Sequence, residues 1–271
     1  MLKFNTLLKE SEIDPKDVQL VRHQDRGPTG ATPYLLMRES PQIFELYQSI
    51  QGREVFRRKL FASFVVTPSF ETLFVNLYTV EAPRRNSSPE MCPLRRTTHE
   101  PGKCWVYPLS PDNRLIDFSK KLIVDWGVGY RSWVQRADRQ DKTVLELRRE
   151  FKEPDMPRMS EFHVRLGDLS GAPFTWQHEL SSQRGVYLLA FMDGQQYVGS
   201  ATGDAGFWQR WKDYLENGHG GNAALRGRDA REAMVSILET ARLTDTRQDI
   251  LNSEYLWHRK LGTRTILLDD A

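Results

Sequence analysis

The chain has 271 residues and a formal net charge of +2 at pH 7. Its 39% hydrophobic, 11% aromatic and 27% charged residues are typical of a globular protein with a real core, which excludes a largely disordered chain. The small net charge argues against a protein that coats nucleic acid by bulk positive charge.

No apolar stretch is long enough to predict a membrane span, and the first residues lack a signal-peptide pattern. We therefore expect a cytoplasmic protein without membrane contact. The only cysteines, Cys92 and Cys104, predict no disulfide framework.

Residues 1–170 are expected to form a mixed α/β domain with a curved antiparallel sheet or small barrel, within an α+β fold overall. Apolar residues at helical spacing predict a helix that begins at Pro41, with Ser40 as its N-cap. β-branched and aromatic residues predict a hairpin of strands 60–66 and 72–80. Further short strands are predicted at 104–107, 121–126, 143–148 and 162–166, and a short helix at 130–137.

Two features of this first domain leave alternatives open. Residues 81–103 carry four prolines and no periodicity, which predicts a long loop that a partner orders. Basic residues come in clusters, which indicate either a solvated face or a DNA-reading surface. These clusters are Arg57-Arg58-Lys59, Arg84-Arg85, Arg95-Arg96, Lys120-Lys121 and the spread Arg131, Arg136 and Arg139. Trp105, Trp126 and Trp133 either pack beneath the sheet or line a pocket for a base.

A polar stretch rich in Gly, Ser and Pro predicts a linker at 171–183, followed by a second domain at 184–271. Asp193-Gly194 is a tight-turn signal between two strand patterns, at 186–191 and 195–200. A third strand is predicted at 234–238, and helices at 206–215 and 247–260. This pattern predicts a three-stranded antiparallel sheet flanked by helices.

Chemistry-bearing residues recur through this second domain. Tyr187 and Tyr197 lie on paired strands, each near a glycine that permits close approach of a backbone or ligand. Arg210 and Tyr214 are four residues apart and share one helix face, and Glu254 lies in the closing helix. One carboxylate for a divalent ion, one guanidinium and three phenols suit hydrolysis of a phosphodiester.

In these motifs the sequence resembles the GIY-YIG nucleases over roughly residues 184–268. They stand as Gly185-Val186-Tyr187, Tyr197-Val198-Gly199-Ser200, Arg210 with Tyr214, and Glu254. The stretch 207–214, followed by 218–222, is similar to a bacterial, restriction-endonuclease-like branch of the family. The resemblance implies a GIY-YIG nuclease domain and cleavage of DNA with one Mg²⁺, or Mn²⁺, per active site.

The resemblance also implies a role for each matched residue. Glu254 would bind the metal, Tyr187 would be the phenol nearest the attacking water, and Tyr197 would assist it. Arg210 would stabilise the transition state, and Tyr214 would fill a position that the family gives to histidine or tyrosine. The expected DNA contacts are Gly199, Ser200, Lys212, His219 and Asn222, joined by Arg131 and Arg136 of the first domain.

Two departures from the family pattern stand out. Some relatives carry a lysine shortly after the second tyrosine, where this chain has Ser200-Ala201-Thr202. Lys212 and His219 are the candidates to assist the general base in its place. The asparagine that relatives often carry after the glutamate helix is absent from 262–268.

Residues 1–170 are expected to recognise DNA, because a nuclease module of this size has little surface with which to choose a sequence. A sequence- or modification-specific restriction endonuclease, acting against foreign DNA, is the leading hypothesis. Its partners would be double-stranded DNA, a second copy in a homodimer or tetramer, and a companion DNA methyltransferase. The alternatives are a structure-directed nuclease of repair, branched or single-stranded DNA, and a catalytically inactive DNA-binding protein.

Overall fold

The structure, a computed structural model, describes residues 1–27, 30–128, 132–222 and 225–262. It divides into two compact units, an N-terminal unit of Met1–Glu153 and a C-terminal unit of Pro154–Ala271. Both combine helices with sheets of mainly antiparallel strands, so the chain is a mixed α+β protein. The division falls earlier than the linker predicted at 171–183, because residues from 154 onward contribute a strand and core side chains to the C-terminal unit.

The N-terminal unit contains three α-helices and twelve strands in its described residues. The helices are α1 Phe4–Glu10, α2 Pro33–Glu39 and α3 Pro41–Ser49. The strands are β1 Val18–His23, β2 Ile50–Gln51, β3 Leu60–Val66, β4 Thr72–Val80, β5 Arg84–Arg85, β6 Glu90–Met91, β7 Thr98–His99, β8 Trp105–Val106, β9 Leu109–Asp112, β10 Leu122–Asp125, β11 Val134–Arg136 and β12 Thr143–Leu147.

One large sheet organises this unit, in the order β11-β1-β3-β4-β10-β12, with β9 also paired to β4. Only the β1–β3 pair within it is parallel. Phe4 and Leu8 of α1 pack on one set of sheet side chains, and Tyr34 of α2 and Phe44 of α3 pack on another. The helix predicted from Pro41 and the hairpin of 60–66 and 72–80 are confirmed.

Two predictions for this unit were wrong for the residues that the structure describes. The segment 130–137, predicted as a helix, contains the strand β11, whose register is fixed by antiparallel pairing with β1. Tyr130 and Arg131 lie outside the described residues. The predicted loop at 81–103 contains short strands and is held by buried Asn86. The Asn86 amide donates to three backbone carbonyls and its Oδ1 accepts from the backbone N–H of Cys104.

The C-terminal unit has three α-helices and four strands in its described residues. They are β13 His163–Arg165, α4 Phe174–Ser182, β14 Gly185–Ala190, β15 Gln196–Ala201, α5 Gly206–Asn217, β16 Met234–Thr240 and α6 Arg247–Leu261. The antiparallel sheet runs β13-β16-β14-β15, so it has four strands where three were predicted. The additional strand β13 was predicted as a strand but assigned to the first domain.

Aromatic side chains form the core of the C-terminal unit. Trp211 of α5 is fully buried and stacks on Phe162 and Phe207 at centroid distances of 5.4 and 5.3 Å. Trp176 of α4 is also fully buried and donates its indole N–H to the Pro154 carbonyl. Trp176 and Trp211 therefore pack α4 and α5 into one core with Tyr187 of β14, which fixes where α5 presents its polar side chains. Within the described ranges, no helix has the length and apolar character that crossing a membrane requires.

Candidate active site

The hairpin of β14 and β15 positions the first two phenols. Its register pairs Tyr187 with Gly199 and Tyr197 with Leu189, so both tyrosines lie on one face, two positions apart along the ladder. Gly199 makes this arrangement possible. A Cβ at Gly199 would lie 2.5 Å from Tyr187 Oη and 2.7 Å from Tyr197 Cε1. The glycine of the second motif is thus required by the close approach of two aromatic rings.

Helix α5 brings a third phenol and a guanidinium to the same place. The hydroxyl groups of Tyr187 and Tyr214 lie 2.8 Å apart in a buried hydrogen bond. Arg210 Nε donates to Tyr187 Oη at 3.3 Å, and its guanidinium lies 4.9 Å from the Tyr214 ring centroid. The spacing of four residues therefore places both side chains on one helix face, as the sequence predicted.

The glycine-rich segment after α5 completes this cluster. Arg210 Nη1 donates to the carbonyl of Gly220 at 3.1 Å. Asn222 Nδ2 donates to Tyr197 Oη at 2.6 Å. Gly220 has φ +56, and a Cβ there would lie 2.8 Å from the Tyr214 ring. The segment thus holds the guanidinium and the second phenol together from one side.

Helix α6 supplies the carboxylate. Its N-terminus is fixed by a capping box between Thr246 and Asp249, and Ile250 packs in a small cluster with Val186 of β14 and Val198 of β15. Glu254 follows Ile250 by four residues and therefore lies on the same helix face. Its side chain is buried, with 7% of the residue exposed.

These residues meet at one cavity of about 460 Å³ in the C-terminal unit. Tyr197, Arg210, Asn222 and Glu254 all line it, as does Ser200. Tyr187 is fully buried and does not line the cavity. Its hydroxyl contacts Arg210, which does line it. The cavity thus combines a cation, a carboxylate, a phenol and an amide.

Burial governs the protonation of the three phenols. It raises the pKa of Tyr187 above the ordinary value, and nearby Tyr197 raises it further, while Arg210 and the Tyr214 hydroxyl act in the opposite direction. Burial likewise raises the pKa values of Tyr197 and Tyr214. At neutral pH all three are therefore neutral hydrogen-bonding groups, and none is a tyrosinate base in the free protein.

A divalent cation fits the donor chemistry of the cavity. Among the described residues, no three His, Cys, Asp or Glu side chains form a ready-made metal cage. Mg²⁺ does not need one, since it usually keeps several waters and takes one or two carboxylates together with substrate phosphate oxygens. Glu254, a buried carboxylate that lines an open cavity, matches that pattern.

The remaining described residues predicted to contact DNA do not line this cavity. Lys212 is exposed on α5 and does not line the cavity. His219 is half-buried and its Nδ1 accepts from the Gly221 N–H. In the N-terminal unit, Arg136 is engaged by Asp138. Arg131 lies outside the described residues.

Sequence reasoning missed several groups of the site. Asp204, Asp213 and Arg247 also line the cavity. His258 Nε2 lies 4.0 Å from Glu254 Oε1, and neither ring nitrogen of His258 has a hydrogen-bond partner among the described residues. The four-residue spacing from Glu254 was a readable signal for His258. No comparable signal marked the lining residues, because their proximity arises from tertiary packing.

Comparison with protein-family models, with curated proteins and with solved structures gives no match to this chain.

Proposed function

We propose that this protein is a metal-dependent DNA endonuclease of the GIY-YIG type, which hydrolyses phosphodiester bonds. The observation that carries the proposal is the convergence of Tyr197, Arg210 and Glu254 on one cavity, although they lie on three different elements. A phosphodiester needs a positive charge for its oxygens, a site for a cation and a hydrogen-bonding group for water. The cavity supplies each of them.

Arg210 is proposed to neutralise the charge that develops on the scissile phosphate. Its position is set in advance by Tyr187 Oη, the Gly220 carbonyl and the ring of Tyr214. A guanidinium held by fixed partners costs little reorganisation when the charge develops, which is the basis of electrostatic stabilisation. The buried pair of Tyr187 and Tyr214 thus acts mainly as the support of Arg210.

Tyr197 is proposed as the phenol that faces the substrate. The family resemblance gives the water-contacting role to Tyr187, whereas the cavity lining favours Tyr197, whose hydroxyl already accepts a hydrogen bond from Asn222. The Tyr197 O–H, which also interacts with the Tyr214 hydroxyl, is proposed to turn to a phosphate oxygen or to orient water. Because burial raises the pKa of Tyr197, donation is the expected role in the free protein.

Glu254 is proposed to hold one divalent cation, Mg²⁺ or Mn²⁺. When bound, the cation would polarise the scissile phosphate and lower the pKa of nearby water. The chain's own contribution is to keep the Glu254 carboxylate buried in the cavity that Arg210 and Tyr197 also line.

Within this function we propose a sequence- or modification-specific restriction endonuclease, with the N-terminal unit as reader of double-stranded DNA. Its size, larger than the unit that carries the cavity, supports a recognition role. A homodimer or tetramer would allow both strands to be cut with one site per chain. A companion DNA methyltransferase would protect the host's own sites.

The test is a Mg²⁺-dependent digestion of unmodified phage and plasmid DNA by the purified full chain, with the fragment ends sequenced. Discrete fragments that share an end sequence are expected. Smearing, or nicking confined to single strands and junctions, would replace the restriction assignment by a structure-directed nuclease. If unmodified and modified DNA both remain intact with Mg²⁺ and with Mn²⁺, the nuclease proposal fails.

A further inference from the structure

The N-terminal unit contains a second cavity, of about 440 Å³, which the nuclease chemistry does not use. It lies where the end of β1 meets α3, the turn at 92–97 and Trp133. The volume is in the range of small-molecule sites. Pairing of β1 with β11 fixes the position of Trp133, since the Arg22 N–H donates to the Trp133 carbonyl at 2.8 Å.

Aromatic rings form one part of the cavity wall. The ring of His23 lies 5.4 Å from that of Tyr47 and 6.4 Å from that of Trp133, centroid to centroid. His23 and Tyr47 are buried, whereas Trp133 is half-buried, so its indole combines a fixed position with an accessible surface. Burial lowers the pKa of His23 to about 4, so this imidazole is neutral at physiological pH.

Charged groups form another part of the wall. Tyr47 Oη donates to Asp25 Oδ2 at 3.0 Å, and Arg95 Nη2 lies 3.0 Å from Asp25 Oδ1. Asp25 thus ties α3 to the turn at 92–97. Arg53 and Arg95 line the cavity and are both exposed, and Arg22 is a third arginine of the lining. The Arg22 guanidinium lies over Trp126 instead, so two guanidinium groups against one carboxylate make the cavity attractive to an anionic ligand.

We propose that this cavity binds a nucleotide, with the planar base against Trp133 and the phosphate at Arg53 and Arg95. An indole face and an acceptor such as Asp25 suit a flat ring with amino groups, and guanidinium groups suit phosphate. The nucleotide has two sources, an extrahelical base of DNA or a free nucleotide. The first deepens the proposed function and rests on it, because inspecting a base outside the stack is one way to recognise a modification.

The experiment measures binding by the full chain in a chelator, without any cleavage. One probe is a fluorescein-labelled duplex with one unpaired base, compared with the fully paired duplex of the same sequence. The other is each of the four deoxynucleoside 5′-monophosphates. The variants are Trp133→Ala and Arg95→Ala, and the matched control is Trp105→Ala. Trp105 is a half-buried tryptophan of the same unit. The Arg85 guanidinium lies over its ring, and Trp105 does not line the proposed nucleotide cavity. Circular dichroism verifies that each variant is folded.

The wild type is expected to prefer the duplex with the unpaired base by about tenfold or more, in line with base–aromatic stacking energies. The preference should be lost in Trp133→Ala and Arg95→Ala and kept in Trp105→Ala. The same variant pattern with the monophosphates alone would support the nucleotide site and assign it to free nucleotides. Failure of both probes, or folded Trp133→Ala and Arg95→Ala variants that bind like the wild type, would overturn the inference.

This inference and the proposed function fail separately. A protein that cuts DNA with Mg²⁺ but binds neither probe through Trp133 would refute the nucleotide site alone. A protein that binds a probe through Trp133 but cuts no DNA would refute the nuclease alone.

Discussion

The hydroxyl groups of Tyr187 and Tyr214 lie 2.8 Å apart in the core of the C-terminal unit. Because Arg210 contacts both side chains, this pair sets the position of the cation at the cavity. We propose two roles for the three phenols, which the resemblance in sequence alone does not distinguish. Tyr187 and Tyr214 contact the guanidinium, whereas Tyr197, which is also buried, lines the cavity.

The protonation of these phenols can be tested by titration of the metal-free protein. In the unfolded chain tyrosine loses its proton near pH 10, whereas burial raises the pKa of Tyr187, Tyr197 and Tyr214. The folded state therefore holds these protons more tightly. The contribution of the three groups to the free energy of unfolding is fully present below about pH 10 and is lost as the pH rises above it. In a tyrosinate-absorbance titration, Tyr187→Phe should reduce only the phase that appears above about pH 10. Loss of amplitude at lower pH would contradict the account.

The placement of Arg210 can be tested with Arg210→Lys. A lysine keeps the charge but lacks the planar group that contacts Tyr187 and the Gly220 carbonyl together. We expect the single-turnover cleavage rate to fall about a hundredfold or more, with DNA binding nearly unchanged. The matched control is Arg228→Lys, because Arg228 binds Asp193 at the surface of the same unit. Equal rates for the two variants would show that fixed placement of Arg210 is unimportant.

The close packing at Gly199 predicts a local stability effect. A methyl group there would overlap Tyr187 and Tyr197, so Gly199→Ala should destabilise the C-terminal unit by about 1–3 kcal/mol. Gly203→Ala is the control, since Gly203 lines the same cavity with open space around the added methyl group. The measurement is the free energy of unfolding in urea. Indistinguishable values for the two variants would mean that the rings adjust without cost.

The boundary between the units predicts how the chain can be divided. A fragment of residues 154–271 keeps β13, Phe162 and Trp176, whereas a fragment of 184–271 loses them. The longer fragment should give a cooperative unfolding transition, and the shorter one should not. Cooperative unfolding of 184–271 with near-native stability would show that the segment 154–183 is dispensable to this core.

The local parts of this fold were predictable and the long-range parts were not. Strands 60–66 and 72–80 are adjacent in sequence, and their composition fixed their bounds. By contrast, β13 pairs with β16, which lies more than sixty residues later in the chain. The residues of β13 alone therefore could not show to which unit the strand belongs. Residues 134–136 carry no clear period, and pairing with β1 determined their strand conformation.

The same distinction holds for the candidate sites. The four-residue spacing of Arg210 and Tyr214 and the glycine opposite Tyr187 predicted the convergence of the cluster. The sequence did not predict that Tyr187 would be sealed behind Arg210, since burial depends on how α5 packs on the sheet. The three tryptophans of the first domain are also separated. Trp133 lines the nucleotide cavity, whereas Trp126 packs in the core between Arg22 and Lys142.

Glu254 is proposed as the metal-binding carboxylate of a DNA endonuclease, and the substitution Glu254→Gln tests this role. The matched control is Glu239→Gln, since Glu239 accepts hydrogen bonds from Ser253 and Trp257 in the same unit and does not line the cavity. In a Mg²⁺-dependent digestion, we expect Glu254→Gln to abolish cleavage while DNA binding is kept, and Glu239→Gln still to cut. Full cleavage by folded Glu254→Gln protein would contradict the account.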